Sequence, residues 1–86
     1  MLKAPETIHS LQTAFVMINC ENGHETDVID QVRSIKGIKE ATRISGPHDI
    51  LCSIEAPTIE SLREIIEHKI RKTYHVKATT TLIRSY

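Results

Sequence analysis

The 86-residue chain has very few aromatic side chains: one phenylalanine, two tyrosines and no tryptophan. Proteins that bind single-stranded nucleic acid stack the bases on exposed aromatic rings. The formal net charge of zero also provides no basic excess that would attract a phosphate backbone. The composition therefore argues against a protein that contacts nucleic acid directly.

The sequence also has no long apolar run and no recognisable secretory signal. No stretch reaches the length needed to span a membrane, and the N-terminal residues 1–6 lack the apolar core of a signal peptide. The two cysteines, Cys20 and Cys52, lie inside apolar strand-like runs, where reduced thiols are expected. We therefore expect one cytoplasmic domain without membrane contact, small enough to gain stability from oligomerisation.

The hydrophobic pattern predicts four strands and two helices in the order βαββαβ. The predicted strands are 13–20, 38–45, 50–56 and 76–84, and the predicted helices are 24–35 and 59–72. Gly37 is a suitable residue to end the first helix, and Thr58 is a suitable N-cap for the second. This order is typical of an α+β, ferredoxin-like fold, with an antiparallel four-stranded sheet and both helices on one face. Residues 1–12 are predicted to form an N-terminal arm, and residues 13–86 the domain.

The first predicted strand is apolar on both faces. Ala14, Val16 and Ile18 alternate with Phe15 and Met17, whereas a strand with one solvated face would show polar residues at every second position. Something must cover the face opposite the helices. A second subunit is the simplest cover, so we expect dimers that form through the sheet.

A tight polar corner separates the second and third predicted strands. Gly46 permits unusual backbone angles, Pro47 fixes its own φ angle, and Asp49 can accept hydrogen bonds from nearby amides. A hairpin turn explains every one of these residues. The alternative is a ligand-binding corner, in which a carboxylate lies beside a glycine whose backbone a small molecule can approach.

Taken in order, these features resemble the effector-binding domain of the Lrp/AsnC family, also called the RAM domain. The resemblance covers residues 13–84, and each of its motifs is weak alone. The matching features are the opening strand 14–18, Gly23 before the first helix, residues 35–38 after it, the Gly46-x-x-Asp49-Ile50 corner, residues 65–70 in the second helix, and Thr79-x-Thr81 in the last strand. The resemblance implies dimers joined through their sheets, further assembly into rings, and a small-molecule site, usually for an amino acid, between neighbouring dimers.

The resemblance also implies which residues bind the effector. Carried over by position, these residues are Gly46, His48, Asp49, Thr79 and Thr81. The chemistry suits an amino acid, because a carboxylate can bind its ammonium group, while a glycine amide and threonine hydroxyls can bind its carboxylate. No catalytic residue, metal ligand or cofactor is expected.

The sequence departs from the family pattern at two positions and in one larger respect. His48 stands where the family usually has an aromatic residue, and His75 stands where it usually has glycine. The family's N-terminal helix-turn-helix is not present in the sequence. We therefore expect a stand-alone, non-enzymatic module that senses an amino acid and modulates transcription by assembling with partner regulators, such as full-length members of the family.

Two other functions remain open at this stage. In the predicted fold, Cys20, His24, His48 and Cys52 would meet at one edge of the sheet, and thiolate and imidazole are ligands for zinc or copper. Dimeric ferredoxin-like domains also serve as small isomerases and monooxygenases, for which His48 and Asp49 would be the acid–base groups. The remaining histidines, including His75, are expected to be surface residues.

Overall fold

The computed structural model describes residues 11–84. The predicted arm lies outside these residues except at its end, where Gln12 already belongs to the first strand. None of the helices among residues 11–84 is long and apolar enough to cross a membrane. The elements are β1 (Gln12–Cys20), α1 (Glu25–Arg33), β2 (Ile38–Arg43), β3 (Ile50–Ala56), α2 (Ile59–Ile65) with a π-helical segment (Ile66–Ile70), and β4 (Val76–Arg84).

The four strands form one sheet in the order β2-β3-β1-β4, and each neighbouring pair is antiparallel. The central strand β1 therefore connects the two halves of the molecule. Its residue Ile18 faces Ile50 of β3 on one side and Thr79 of β4 on the other. The predicted ferredoxin-like architecture is confirmed.

Both helices cover the same face of the sheet. The side chains of Val16, Ile18 and Ile54 on that face are fully buried, as are Val28 of α1 and Leu62 of α2, and they belong to one apolar cluster. Each such side chain contributes roughly 1.5–3 kcal/mol to folding when it is removed from water. The core is therefore a single layer between sheet and helices, which leaves the other face of the sheet open.

The pairing of β2 with β3 contains an irregularity that cannot be predicted by assigning alternate residues to opposite faces of the sheet. Ile38 pairs with Ile54, but Glu40 pairs with Ser53, so Lys39 is an extra residue on β2. Because of this bulge, Ile38 and Ala41 both lie on the helix side, although strict alternation would separate them. β2 lies at one edge of the sheet.

The second helix is not one uniform α-helix over 59–72 as predicted. Thr58 caps it as expected, since its Oγ1 accepts a 3.0 Å hydrogen bond from the amide of Ser61. Beyond Ile65 the helix widens into a π-helical turn, in which the amide of Arg71 donates to the carbonyl of Ile66 at 2.9 Å. The wider turn keeps Ile66 and Ile70 on the buried face.

Candidate functional site

The corner between β2 and β3 is closed by a backbone hydrogen bond and is accessible to a small molecule. The amide of Ile44 donates to the carbonyl of Asp49 at 3.0 Å, which joins the two ends of the turn. Gly46 has a φ angle of +108°, and a Cβ atom placed there would meet nothing within 4 Å. A small molecule can therefore approach the Gly46 backbone directly.

Asp49 is attached to the end of β1 at two points. Its amide donates to the carbonyl of Ile18 at 2.9 Å, and its Oδ2 accepts from the amide of Cys20 at 2.9 Å. The side chain is only partly buried. A carboxylate has about four lone-pair positions, so the contact with Cys20 fixes the orientation of the group and leaves capacity for a ligand.

His48 is held by a residue that the sequence did not single out. Its Nδ1 lies 2.8 Å from Oδ1 of Asn19, and Nδ2 of Asn19 donates to the carbonyl of Pro47 at 2.8 Å. Because the Asn19 amide nitrogen already donates, its oxygen must accept, which assigns a proton to Nδ1 of His48. The neutral imidazole then presents Nε2 as an acceptor.

The two threonines lie on a different strand from the corner. Thr79 and Thr81 belong to β4 and face Ile18 and Val16 of β1, with Thr79 half-buried and Thr81 exposed. β1 runs between β4 and β3 in the sheet. One chain thus brings His48 and Asp49 together with Asn19 and places the threonines on the far side of β1.

An open cleft of about 900 Å³ lies elsewhere on the molecule. It runs between the link from α1 to β2, the end of β3 and the second helix, and its lining includes Gly37, Glu55, Ile65 and Lys69. None of the five predicted effector residues lines it. The cleft and the corner are therefore separate candidate sites.

The four-residue metal cluster that the sequence left open as an alternative does not form. Cys20 and Cys52 are buried on the helix side of the sheet, whereas His48 is bonded to Asn19, which projects to the other face. Burial raises the pKa of Cys52 to about 11, and burial together with the carboxylate of Asp49 raises the pKa of Cys20. Both thiols therefore belong to the buried apolar core.

His24 instead lies beside two residues that the sequence did not connect with it. The group consists of Glu21, His24 and His75, and it is the one set of at least three potential ligand side chains found together within residues 11–84. His75 is also less exposed than expected of a surface residue, with 18% of its side chain accessible.

Comparison with known proteins identifies the fold and the family. The model of the Lrp/AsnC ligand binding domain matches residues 13–85. The chain belongs to the Lrp/AsnC ligand-binding domain family. The family resemblance inferred from the ordered motifs of residues 13–84 is thereby confirmed.

Individual relatives of this Lrp/AsnC domain fall into two groups. A homocitrate synthase from Sulfurisphaera tokodaii is 39% identical over 80 residues, which are 92% of this chain and 16% of the synthase. Among solved structures, PHS023 from Pyrococcus horikoshii has a TM-score of 0.82 at 29% identity, covering 87% of this chain and 90% of that one. A transcriptional regulator from Neisseria meningitidis, solved as its L-Met complex, has a TM-score of 0.81 at 14% identity over 100% of this chain and 57% of that one, which shows the shared fold alone. The domain thus spans only a small part of the length of the synthases it matches.

Proposed function

We propose that this Lrp/AsnC domain binds a free amino acid at the corner formed by Gly46, His48 and Asp49. The observation that carries the proposal is the Asp49 carboxylate, which the Cys20 amide orients at 2.9 Å beside the accessible Gly46 backbone. The carboxylate binds the ammonium group of the ligand, and the glycine amide binds the ligand carboxylate. His48 takes the place of an aromatic residue and selects among ligand side chains.

The threonines complete this site from a neighbouring subunit. Thr79 and Thr81 lie on an edge strand, on the far side of β1 from Asp49, so their hydroxyls are available to a second copy of the chain. A ligand that contacts the corner of one subunit and the threonines of another stabilises that assembly over the alternatives. Ligand concentration then controls the assembly state by linkage.

The basic unit of the proposed assembly is a dimer formed through the open face of the sheet. Phe15 faces Leu82 on β4, and Met17 faces Leu51 on β3, so four apolar side chains share this face. Leu82 is 63% exposed in the single chain. A second sheet placed against this face removes these side chains from water.

The output of the sensor is regulatory rather than catalytic in this proposal. The domain acts in the cytoplasm through partner regulators of its own family, which carry the contact with DNA. A second candidate output is control of a metabolic enzyme, favoured by the 39% identity to part of a homocitrate synthase. In both cases the domain itself performs no chemistry and supplies a ligand-dependent contact.

The proposal is tested by light scattering of the purified protein with and without each free amino acid. We expect one or a few amino acids to change the mass or raise the melting temperature of the wild-type protein. Asp49→Asn, which retains an acceptor for the Cys20 amide but loses the negative charge, should not respond. A mass and melting temperature that no amino acid changes would contradict the proposal. If an amino acid does act, mixing with a full-length family regulator and with a homocitrate synthase distinguishes the two outputs.

A further inference from the structure

Three side chains converge where β1 ends, α1 begins and β4 begins. We propose that Glu21, His24 and His75 form a binding site for a divalent transition-metal ion of the zinc class. One ligand atom from each residue lies within 4.8 Å of the other two. Two imidazoles and a carboxylate form a donor set that zinc accepts in proteins, with a fourth position left for solvent. The site is distinct from the proposed amino-acid corner.

The separation of Glu21 and His75 matches that of two ligands on one ion. Nδ1 of His75 lies 2.9 Å from Oε1 of Glu21. Zinc bonds of about 2.0–2.1 Å place two ligand atoms roughly 2.9–3.4 Å apart for angles of about 90–110°. The two atoms are thus close enough to share an ion, and one of the two groups must turn so that both lone pairs point at it.

His24 supplies the third ligand by rotation of its ring. The rings of His24 and His75 are stacked, with centroids 3.5 Å apart and planes 17° from parallel. The nitrogen lone pairs lie in the ring planes, so one ring must tilt before both point at the same ion. Nδ1 of His24 is buried without a hydrogen-bond partner, which means that no hydrogen bond at that atom resists the rotation.

The same unpartnered nitrogen is a second observation that favours a ligand at this position. A buried polar atom without a partner is unfavourable. Oδ2 of Asp27 lies 3.5 Å from it, outside hydrogen-bond geometry. Metal binding resolves this either by direct coordination of Nδ1 or by coordination of Nε2, with Nδ1–H turned to Asp27. The second arrangement is the common pairing of a metal-bound histidine with a carboxylate.

Backbone hydrogen bonds hold the three residues close together without an ion. The amide of Glu21 donates to the carbonyl of His75 at 3.0 Å, and the amide of His24 donates to the carbonyl of Glu21 at 3.1 Å. His75 has a φ angle of +74°, the only positive value on a non-glycine residue within residues 11–84. Strained backbone of this kind tends to occur at functional sites.

Charge around the cluster is mixed. Glu25 and Asp27 in the first turn of α1 are negative and offset the positive end of that helix, and Lys77 adds a positive charge near Glu21. The hydrogen bond from His75, followed by the charges of the neighbouring histidines and Lys77, lowers the pKa of Glu21. The Glu21 side chain is 56% exposed, which leaves its carboxylate accessible to an ion.

The test is calorimetric titration of the tag-free, chelator-treated protein with Zn²⁺, supported by the absorption spectrum of the Co²⁺ form. We expect one ion per chain, and a Co²⁺ spectrum of a four-coordinate site. His75→Gly removes a ligand and suits the positive φ angle, so it should fold normally and bind Zn²⁺ roughly 100-fold more weakly or worse. Asp27→Asn distinguishes the two arrangements: binding should weaken by roughly 10-fold if Nε2 of His24 coordinates the ion and Asp27 orients the ring, and should be unchanged if Nδ1 coordinates it.

The chain offers a matched control in a second histidine–glutamate pair. Nε2 of His68 lies 4.0 Å from Oε1 of Glu64 on the exposed face of the second helix, and no third potential ligand joins this pair within residues 11–84. His68→Ala should bind Zn²⁺ like the wild type. Equal binding by His75→Gly and the wild type, or loss of binding in His68→Ala, would overturn the proposal. Weak binding that falls equally in every variant would mean an adventitious ion only, which also overturns it.

Discussion

The amide of Cys20 donates a 2.9 Å hydrogen bond to Oδ2 of Asp49, which lies 29 residues further along the chain. The next amide, that of Glu21, donates to the carbonyl of His75 at 3.0 Å. Two consecutive amides at the end of β1 therefore connect the corner before β3 with the start of β4. The proposed amino-acid site and the proposed metal site share this short piece of backbone.

Asp49 has a structural and a ligand-binding role that two substitutions separate. Asp49→Ala removes the acceptor of the Cys20 amide and should lower the free energy of unfolding by about 1–3 kcal/mol. Asp49→Asn keeps an acceptor and should retain most of the stability while losing the charge that binds an ammonium group. Urea denaturation and amino-acid titration of both variants check this. Full amino-acid binding by Asp49→Asn would show that the carboxylate of Asp49 does not contribute to ligand binding.

Gly37 is required by its conformation and by its surroundings. Its φ angle is +102°, and a Cβ atom there would lie 2.8 Å from Cδ1 of Ile65 and 3.2 Å from the carbonyl of Glu55. Gly37→Ala should therefore destabilise the fold by about 2–3 kcal/mol. Gly23 is the control, because it has a φ angle of +87° but no atom within 4 Å of its Cβ position. Thermal unfolding should show a clearly smaller loss for Gly23→Ala, and equal losses would refute the steric part of the argument.

The open face of the sheet should lose its ability to pair when it carries a charge. Leu82→Asp places a carboxylate within the proposed dimer face and should give a monomer in sedimentation analysis, because an unpaired charge is costly to bury. Tyr74→Asp is the control, since Tyr74 is 73% exposed in the turn before β4. A Leu82→Asp protein with the wild-type mass would show that subunits associate elsewhere.

Both cysteines should behave as core residues. Cys52 is fully buried and Cys20 is 4% exposed, so a thiol reagent at pH 8 should modify them only after unfolding. Their raised pKa values mean that the unfolded chain ionises first, near the ordinary value of 9.0, while Cys52 in the folded chain ionises near 11. Stability should therefore be unaffected by these groups below pH 9 and fall as the pH rises towards 11. Rapid modification of Cys52 in the native protein would contradict this assignment.

Much of this fold follows from the sequence because its signals are local. Alternation in β1 and the helix start at Thr58 each act within a few residues, and the structure contains both features. Gly37 has a positive φ angle, but the prediction that it ends the first helix was wrong, because α1 ends at Arg33 with Ser34 as its C-cap. The bulge at Lys39 was missed because a single extra residue reverses the alternation without changing the composition. The π-helical turn was missed because Leu62, Ile66 and Ile70 also fit an apolar stripe on an ordinary α-helix.

The site was predicted less completely because its contacts are long-range. Gly46 and Asp49 are recognisable as turn residues, but nothing in the sequence links His48 to Asn19. His75 was assigned to the surface, although a histidine in place of the family's usual glycine was a signal of unusual backbone at that position. The contact between His75 and Glu21 depends on the pairing of β1 with β4, which lie far apart in sequence.

The most direct test of the central claim is to map amide chemical shifts by NMR while amino acids are added to deuterated, isotope-labelled protein. We predict that the amino acid found to bind shifts the amides of Gly46, His48, Asp49, Thr79 and Thr81 most strongly, and leaves Gly37 and Lys69 of the separate cleft unchanged. Shifts confined to that cleft, or no shift with any amino acid, would contradict amino-acid sensing at the Asp49 corner.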